Sequence, residues 1–346
     1  MVGEKLALLL LLVFGVLTTA IAQESTTPQD EILLKNGSRV IGSVTSARDG
    51  VVTIETNFAG TLSIKSEEIQ SVNTVGALVV QMADGQIFRD MPITMEQDLI
   101  VVTEGNGDQH SYAVTDILLV NPEPWELGDG YNASGLVSFA WALQRGNTDS
   151  DELDYRLESI WRSLEDRYTL RMDGELDKNN DIKNADNWRV VGKYDYFLED
   201  RWYTGVNVVA KQDEFADLDL RVYVGPYLGR QFYTQSIFTL EAELGLSYVS
   251  EDFITSPDQE YPGANWSVRI ASDYLGSGTS LYMNHDAVWD LDTTEDIVLN
   301  TAVGLSFPLL GNLEAAAEVL YEYDSGAVPG VEKLDETYNF RIGYTW

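Results

Sequence analysis

Acidic and basic side chains occupy every second position in several stretches of the chain. Between residues 153 and 158, Asp154, Arg156 and Glu158 alternate with apolar or aromatic residues. Side chains two positions apart in a β-strand point to the same face, so these charges would lie together. They could hold a cation, transfer protons or pair with charges on neighbouring strands. The residues predicted to form this charged interior face are Asp154, Arg156, Glu158, Arg171, Asp173, Glu175, Arg189, Arg221, Glu318 and Arg341.

The pattern of these charges favours ion pairing over catalysis. Glu241 and Glu243, like Glu318 and its neighbours, share a face with other acids, but arginines recur on the same predicted face. An outer-membrane phospholipase would need a serine and a histidine close together on the outward face with an orienting polar residue, and His285 has no outward serine two residues away. The chain has no Cys and only two His. We therefore predict no catalytic residues, no metal site and no cofactor.

Composition limits the partners of the chain. Its 346 residues carry a formal net charge of -34, which makes nucleic-acid binding very unfavourable because phosphates attract basic surfaces. This acidity is consistent with solubility in a salty medium or with attraction of cations, and the sequence leaves both open. Tyrosine and tryptophan are frequent and proline is scarce, which suits strands.

Residues 1–22 are predicted to be a cleaved signal peptide. Lys5 precedes an apolar run of about a dozen residues, and Ala20-Ile21-Ala22 matches a small-x-small cleavage site. The run is too short for a membrane-spanning helix. Residues 23–30 are predicted to be a flexible polar leader.

Residues 31–121 contain an internal repeat with an offset of 48. Asn36-Gly37 falls on Asp84-Gly85, and both pairs are typical of hairpin turns that need a positive φ. Short alternating runs around them predict half-buried strands, so the units are interpreted as a small all-β module, either SH3-like barrels or a pair of packed meanders. The module would lie in the periplasm, either to dock a partner protein or to support the rest of the chain. Residues 122–130, rich in Pro and Gly, are predicted to be a linker.

Residues 131–346 alternate between apolar and polar positions almost without a break. Short turns alternate with longer polar connections, as in outer-membrane barrels with short periplasmic turns and long outer loops. Both signs of charge on the polar face suit a wet interior better than a soluble core. The sequence predicts a transmembrane antiparallel β-barrel of about 12 strands. Pro226 cannot donate a ladder hydrogen bond, so we expect a bulge or kink there.

The last residues of the chain predict how the barrel is assembled. An alternation of outward residues ends in a C-terminal aromatic and resembles the signal that the barrel-assembly machinery recognises in bacterial outer-membrane proteins. The residues of this signal are Tyr338, Phe340, Ile342, Tyr344 and Trp346. The expected partners are outer-membrane lipid, this machinery and a periplasmic protein.

The chain also resembles a known family. The similar segments are residues 146–150 (GNTDS), 197–202 (FLEDRW), 215–221 (FADLDLR) and 245–253 (GLSYVSEDF). On these segments residues 131–346 resemble the salt-induced outer-membrane proteins, a YdiY-like family classified as a domain of unknown function. The resemblance implies an outer-membrane location and expression linked to salt or acid stress, and it supplies no catalytic residues.

Three functions are compatible with these patterns. The leading hypothesis is a narrow acidic pore or conduit used in envelope stress or in the passage of small solutes. The alternative is a non-transporting structural or docking protein, in which the barrel is an anchor and the repeats bind a partner. An outer-membrane enzyme is the least favoured because no catalytic arrangement is evident.

Overall fold

The computed structural model describes residues 29–346 except 49, 97–98, 104–108, 145–149, 181, 200, 236, 277 and 329–330. The predicted signal peptide, most of the predicted leader and residues 146–149 of the family-like segment lie outside the described residues. The chain divides into two compact units, one ending at Pro122 and one beginning at Glu123. No helix within the described ranges is long and apolar enough to cross a membrane.

The first unit consists of two successive sets of short strands, each with a 3-10 helix before its last strand. The helices are Ser66–Glu68 and Val114–Asp116, and they lie at the offset of the sequence repeat. The strands are β1 (Asp30–Leu34), β2 (Arg39–Arg48), β3 (Val51–Thr56), β4 (Gly60–Lys65), β5 (Ile69–Asn73), β6 (Leu78–Met82), β7 (Ile87–Met91), β8 (Met95–Glu96), β9 (Leu99–Thr103), β10 (Gln109–Tyr112) and β11 (Ile117–Val120).

The two predicted hairpin turns have the same geometry. Gly37 has a φ of 86° and Gly85 a φ of 87°, a region that residues with a side chain rarely adopt. The residue before each glycine, Asn36 or Asp84, accepts a hydrogen bond through its side chain from the backbone N–H two residues later, at 2.9 and 3.0 Å. The repeat is therefore a repeat of local chemistry as well as of element order.

Both sets use the strand order of a small SH3-like barrel. In the first set β5 pairs with β1, β1 with β2, β2 with β3 and β3 with β4. In the second set the counterpart of β2 is divided into β7 and β8, so β11-β6-β7 and β8-β9-β10 form separate ladders. β11 also pairs with β2 through Val120 and Ala47, and one hydrophobic core containing Ile32, Ile54 and Met82 spans both sets.

The second unit begins with a 3-10 helix, Pro124–Leu127, and continues as a closed antiparallel barrel of 12 strands. This confirms the fold predicted from the alternation. The strands are β12 (Asn132–Gln144), β13 (Ser150–Arg162), β14 (Asp166–Asn179), β15 (Ile182–Phe197), β16 (Trp202–Asp213), β17 (Leu218–Gln235), β18 (Phe238–Phe253), β19 (Gln259–Ser272), β20 (Ser280–Asp290), β21 (Ile297–Pro308), β22 (Leu313–Asp324) and β23 (Leu334–Thr345). A further 3-10 helix, Glu214–Ala216, lies between β16 and β17.

Two details differ from the sequence prediction. Several strands continue into segments expected to be loops; β15 starts at Ile182 and β19 at Gln259. The ladder continues there although the apolar alternation fades, because water can solvate both faces of a strand outside an apolar layer. The expected bulge at Pro226 is absent: the register is the same on both sides of it, and the β17–β18 ladder has a gap there at Gly225 and Pro226.

The outer face of the barrel is apolar. Leu244 and Leu246 are 66% and 62% exposed at the middle of β18. Tyr131, Tyr168 and Tyr194 form a chain of ring contacts near the short turns, with centroids 5.9 and 4.9 Å apart. Exposed apolar surface of this extent is not found on soluble monomers, and aromatic girdles mark membrane interfaces. The outer face therefore fits lipid.

Candidate functional site inside the barrel

Ion pairs between strands that are not neighbours define the inner face. Lys211 on β16 lies 2.9 Å from Glu322 on β22, and Arg221 on β17 lies 2.9 Å from Asp324 on the same strand. Arg189 on β15 contacts Asp286 on β20 at 3.2 Å. Side chains on opposite walls of a closed barrel can meet only through its interior, so these residues point inward.

Glu318 is the centre of a charge cluster beside the junction of β12 and β23. Its carboxylate accepts two hydrogen bonds from the guanidinium of Arg156, at 2.8 and 3.1 Å, and a further one from Arg341. The hydroxyl of Tyr282 donates to the same carboxylate at 2.8 Å. The Glu318 side chain has no exposed surface. Two guanidinium groups and a phenol therefore compensate one buried carboxylate.

The wall formed by β14 to β19 is densely filled. Lys193 lies 2.5 Å from Glu243, and that carboxylate also accepts hydrogen bonds from Tyr203 and Ser267, each at 2.8 Å. Tyr203 has no exposed surface, and the side chains of Lys193 and Glu243 are each only 6% exposed.

A second network lies on the same wall. Arg167 contacts Asp195 at 2.6 Å and Glu241 at 3.1 Å, and the hydroxyl of Tyr227 donates to Asp195. The glycines on these strands make room for the rings, because a Cβ on Gly205 would lie 2.5 Å from the Tyr227 hydroxyl. This half of the interior is therefore closed by packed polar side chains.

Another part of the interior contains a cavity of about 260 Å³. Its lining comes from β12 to β16 and from β20 to β23. Most of the charged residues predicted from sequence are in it: Asp154, Arg156, Glu158, Arg171, Asp173, Glu175, Arg189 and Arg341. Glu318 lies behind Arg156 and Arg341, and Arg221 lines a separate cavity of about 70 Å³ near the longer loops.

The two cavities meet at one ion pair. Lys211 and Glu322 line both of them. Because these residues reach from opposite walls, their contact separates the larger cavity from the one below the loops. The pair is therefore a candidate constriction.

The arginines and lysine that line the larger cavity are compensated, whereas several of its acids are not. Arg171 contacts Glu158, and each of the other basic groups there has a carboxylate within 4 Å. Within the described part of the chain, four lining carboxylates have no basic group at this distance. They are Asp154, Asp173, Glu175 and Glu314. The cavity thus presents net negative charge although its walls carry both signs.

Sequence reasoning missed some residues of the interior. Arg167, Lys211 and Asp286 were not among the predicted lining residues, although their positions follow the inward alternation of their strands. Tyr203 and Tyr227 were not identified because a tyrosine in an alternating strand fits either face. Their closeness to glycines across the ladder is the one signal that could have indicated their direction.

His285 lies on the outer face and has no catalytic arrangement in its contacts. The indole N–H of Trp266 donates to its Nε2 at 3.1 Å, and its Nδ1 lies 2.8 Å from the hydroxyl of Thr301. An indole nitrogen can only donate, so Nε2 is the acceptor and Nδ1 carries the proton. Among the described residues no group of His and carboxylate side chains is arranged to hold a metal.

The C-terminal residues lie as the alternation predicts. Tyr338, Phe340, Ile342 and Tyr344 are exposed on the outer face, at 65%, 80%, 61% and 48%. Trp346 exchanges backbone hydrogen bonds of 3.1 Å with Gly135, which helps to close the barrel.

Comparisons with solved structures find porins and a transporter. The NanC porin is 12% identical with a TM-score of 0.39, and the match covers 62% of this chain and 98% of that one. The KdgM porin is 13% identical with a TM-score of 0.32 and the same coverage. The toluene transporter TodX of Pseudomonas putida is 8% identical with a TM-score of 0.30, over 63% of this chain and 88% of that one. No curated protein matches the chain.

A family model settles the resemblance noted in the sequence. The model described as "Protein of unknown function, DUF481" matches residues 137–346, which is more than half of the chain and nearly all of the barrel. The chain therefore belongs to the DUF481 family.

Proposed function

We propose that the barrel is a narrow conduit of the bacterial outer membrane, closed in this arrangement by ion pairs and selective for small cations. The Lys211–Glu322 contact carries this proposal, since both residues line cavities of about 260 and 70 Å³ and their contact lies between the two. Barrels of about 8 strands are filled by side chains and porins of 16–18 strands are open. A barrel of 12 strands lies between these limits.

Selectivity for cations follows from the uncompensated carboxylates. Asp154, Asp173, Glu175 and Glu314 face the larger cavity without a basic partner, and its seven lining carboxylates outnumber its five basic groups. Channel walls of low dielectric constant focus the electric field of the fixed charges, so a net negative lining attracts cations and repels anions. Passage of a cation would also weaken the Lys211–Glu322 contact, since the cation competes with the lysine for the carboxylate.

Single-channel recording in planar bilayers tests the constriction. We expect Lys211→Met to raise the conductance because it removes the contact between the cavities. Lys183→Met is the matched control: Lys183 also contacts two carboxylates, Asp186 and Glu214, but at the exposed rim. Absence of any current from a barrel shown to be folded by heat-modifiable gel migration would refute the conduit.

The location and assembly of the protein are part of the same proposal. The signal peptide would direct export, the repeats would lie in the periplasm, and the C-terminal aromatic alternation would bind the barrel-assembly machinery. Expression would rise with salt, as the family resemblance implies. Membrane fractionation of cells that express the chain with and without Trp346 tests assembly, and equal outer-membrane levels would refute a role for the terminal aromatic.

A docking protein is the second candidate. It is supported by the repeat in the first unit and by Phe58, which is 76% exposed in the turn between β3 and β4. An aromatic ring in water at a hairpin turn is suited to a protein contact. Deletion of residues 31–121 separates the two ideas: unchanged conductance and an unchanged stress phenotype would exclude docking as the function.

A further inference from the structure

The junction that closes the barrel is much shorter than the other junctions. β12 and β23 pair only over Leu136–Phe139 and Ile342–Thr345, with one further exchange between Gly135 and Trp346. Each of the other neighbouring strands pairs over ten or more positions. Both strands continue beyond the short ladder, to Gln144 and back to Leu334, and no pairs join them there among the described residues.

The exposure of β23 agrees with an open edge. Phe340, which would be next to β12 if the ladder continued, is 80% exposed, and Tyr338 is 65% exposed. In complete ladders, outward residues such as Met172 and Leu244 are 36% and 66% exposed, so Phe340 is more exposed than both, while Tyr338 is within their range. The ring of Phe340 therefore lacks the cover that a paired neighbour gives.

Where the backbone ladder between β12 and β23 ends, side chains connect the two sides of the junction. Arg156 on β13 reaches past β12 and β23 to Glu318 on β22, which also binds Arg341 on β23. This tie crosses the junction on the inside of the barrel. It holds the walls together without closing the space between the strand edges.

The larger cavity lies behind the unpaired part of β23, since its lining includes Thr337 and Asn339. On β12 the lining includes Ser138, which is in the last part of the short ladder. The hydroxyl of Ser138 is buried and has no hydrogen-bond partner among the described groups. Asp154 on β13 pairs with Ala140, the first residue of β12 that has no partner on β23. Asp154 is also one of the uncompensated carboxylates of the cavity.

We infer that this part of the junction is a lateral opening between the cavity and the bilayer, and that it admits single-chain amphiphiles with a cationic head group. The head group would enter beside Asp154 while the chain stays against Phe340 in the lipid. Unpaired peptide groups are costly in hydrocarbon, so an open edge persists where polar groups or water reach it from inside. This inference goes beyond axial passage of small cations, which needs no opening in the wall.

Photolabelling of the full chain in phosphatidylcholine vesicles tests the opening. The probes are a long-chain alkylamine with a diazirine next to its head group and the carboxylic acid of the same chain. We expect the amine to label the inward residues Ser138 and Thr337 and the acid to label them less. Equal inward labelling by both probes would overturn the preference for cationic head groups.

Cysteine pairs provide the matched variants because the chain has no native Cys. Ala142→Cys with Asn339→Cys places two thiols at positions that would pair if the β12–β23 register continued. Oxidation of this pair should abolish inward labelling and reduction should restore it. Phe139→Cys with Ile342→Cys joins residues that already pair, so its oxidation should leave labelling unchanged.

Two results would refute the opening: adducts confined to outward residues, or inward adducts that survive closure by the disulfide. If the first pair does not oxidise, Ser138→Phe fills the inner side of the junction and should abolish labelling of Thr337. Potassium flux through the same vesicles distinguishes the two proposals. Loss of labelling in the oxidised pair with flux retained supports the lateral opening, whereas flux absent throughout with labelling present would refute only the conduit.

Discussion

At the scale of single residues, burial decides what an ion pair contributes. The carboxylate of Glu318 is fully buried and has Arg156, Arg341 and Tyr282 as partners. Removing one member of a buried group leaves the others uncompensated, whereas an exposed pair exchanges its contacts for water at little cost. The interior pairs should therefore dominate the stability of the charged wall.

We expect Glu318→Gln to destabilise the barrel by about 3–5 kcal/mol, since two guanidinium groups lose their carboxylate in a buried site. Urea unfolding of the reconstituted barrel measures the change. Lys183→Met serves as the control and should have no measurable effect because its contacts lie at an exposed rim. Equal changes for the two variants would contradict the distinction.

The direction of each side chain also determines what substitutions the barrel accepts. Leu246 is 62% exposed in the middle of β18, on the face that fits lipid. We expect Leu246→Arg to cost about 2–4 kcal/mol in the same urea measurement, because a cation would then lie in hydrocarbon. Leu246→Met should have little effect. A neutral result for the arginine would indicate that this face is not in lipid.

The sequence predicted correctly which face of the barrel a charged side chain points to, but not which residue it contacts. Alternation placed Arg156, Arg171 and Arg189 on the inner face, because side-chain direction depends only on local strand geometry. It could not show that Arg189 meets Asp286 on the far wall, since that contact depends on how the closed barrel brings distant strands together. It also gave no indication of Tyr203 inside the lumen.

At the scale of elements, the two hairpin glycines repeat one conformational requirement. Gly37 and Gly85 have φ values of 86° and 87°, where a Cβ is strained. We expect Gly37→Ala to destabilise the β1–β2 hairpin by roughly 1–2 kcal/mol, on the scale of the left-handed penalty. Hydrogen exchange of β1 and β2 measures it. Gly76→Ala should be neutral, since no atom lies within 4 Å of its added Cβ and its φ is not in that region.

A carboxylate joins two of the loops at the end of the barrel opposite the short turns. Asp217 accepts hydrogen bonds from the N–H of Ser256 at 3.0 Å and from the N–H and hydroxyl of Thr255 at 2.9 and 2.8 Å. These bonds to Ser256 and Thr255 lower the pKa of Asp217 below its ordinary value of 3.8. A lowered pKa in the folded state means that the bonds stabilise the loops above that ordinary value and are lost as the pH falls through the lowered pKa.

A nitroxide on Ile254→Cys reports this change, since the chain has no other Cys. Its spectrum should be ordered at neutral pH and become mobile only in strong acid. When Asp217→Asn is added, the nitroxide should be mobile both at neutral pH and in strong acid. A nitroxide that is equally ordered in the two variants at neutral pH would show that the carboxylate does not hold the loops.

Strand ends were harder to predict than strand number. The alternation gave twelve strands because each crossing of an apolar layer needs one apolar face. It placed the start of β15 several residues too late because the ladder continues beyond that layer, where no alternation is required. The bulge expected at Pro226 is absent because the β17–β18 ladder has a gap at this position. The proline nitrogen, which has no hydrogen to donate, needs no partner in the gap, and the register does not change.

At the scale of the whole molecule, the family and the architecture could be predicted, while the distribution of space inside the barrel could not. One part of the interior is filled by Tyr203, Lys193 and Glu243, and another part holds the cavity. The position of the cavity depends on where large side chains lie opposite glycines on neighbouring strands around the barrel. The sequence of a single strand does not show this. The short β12–β23 junction likewise follows from closure and not from either sequence alone.

The reversal potential of the wild-type barrel under a tenfold potassium chloride gradient tests the central claim most directly. Uncompensated carboxylates such as Asp154 and Asp173 should make the current cation-selective. We therefore expect a potential of cationic sign approaching the limit of about 59 mV for a singly charged ion, reduced in Asp154→Asn with Asp173→Asn. A potential of zero or of anionic sign in the wild type would contradict the claim that the interior is a charge-paired conduit for cations.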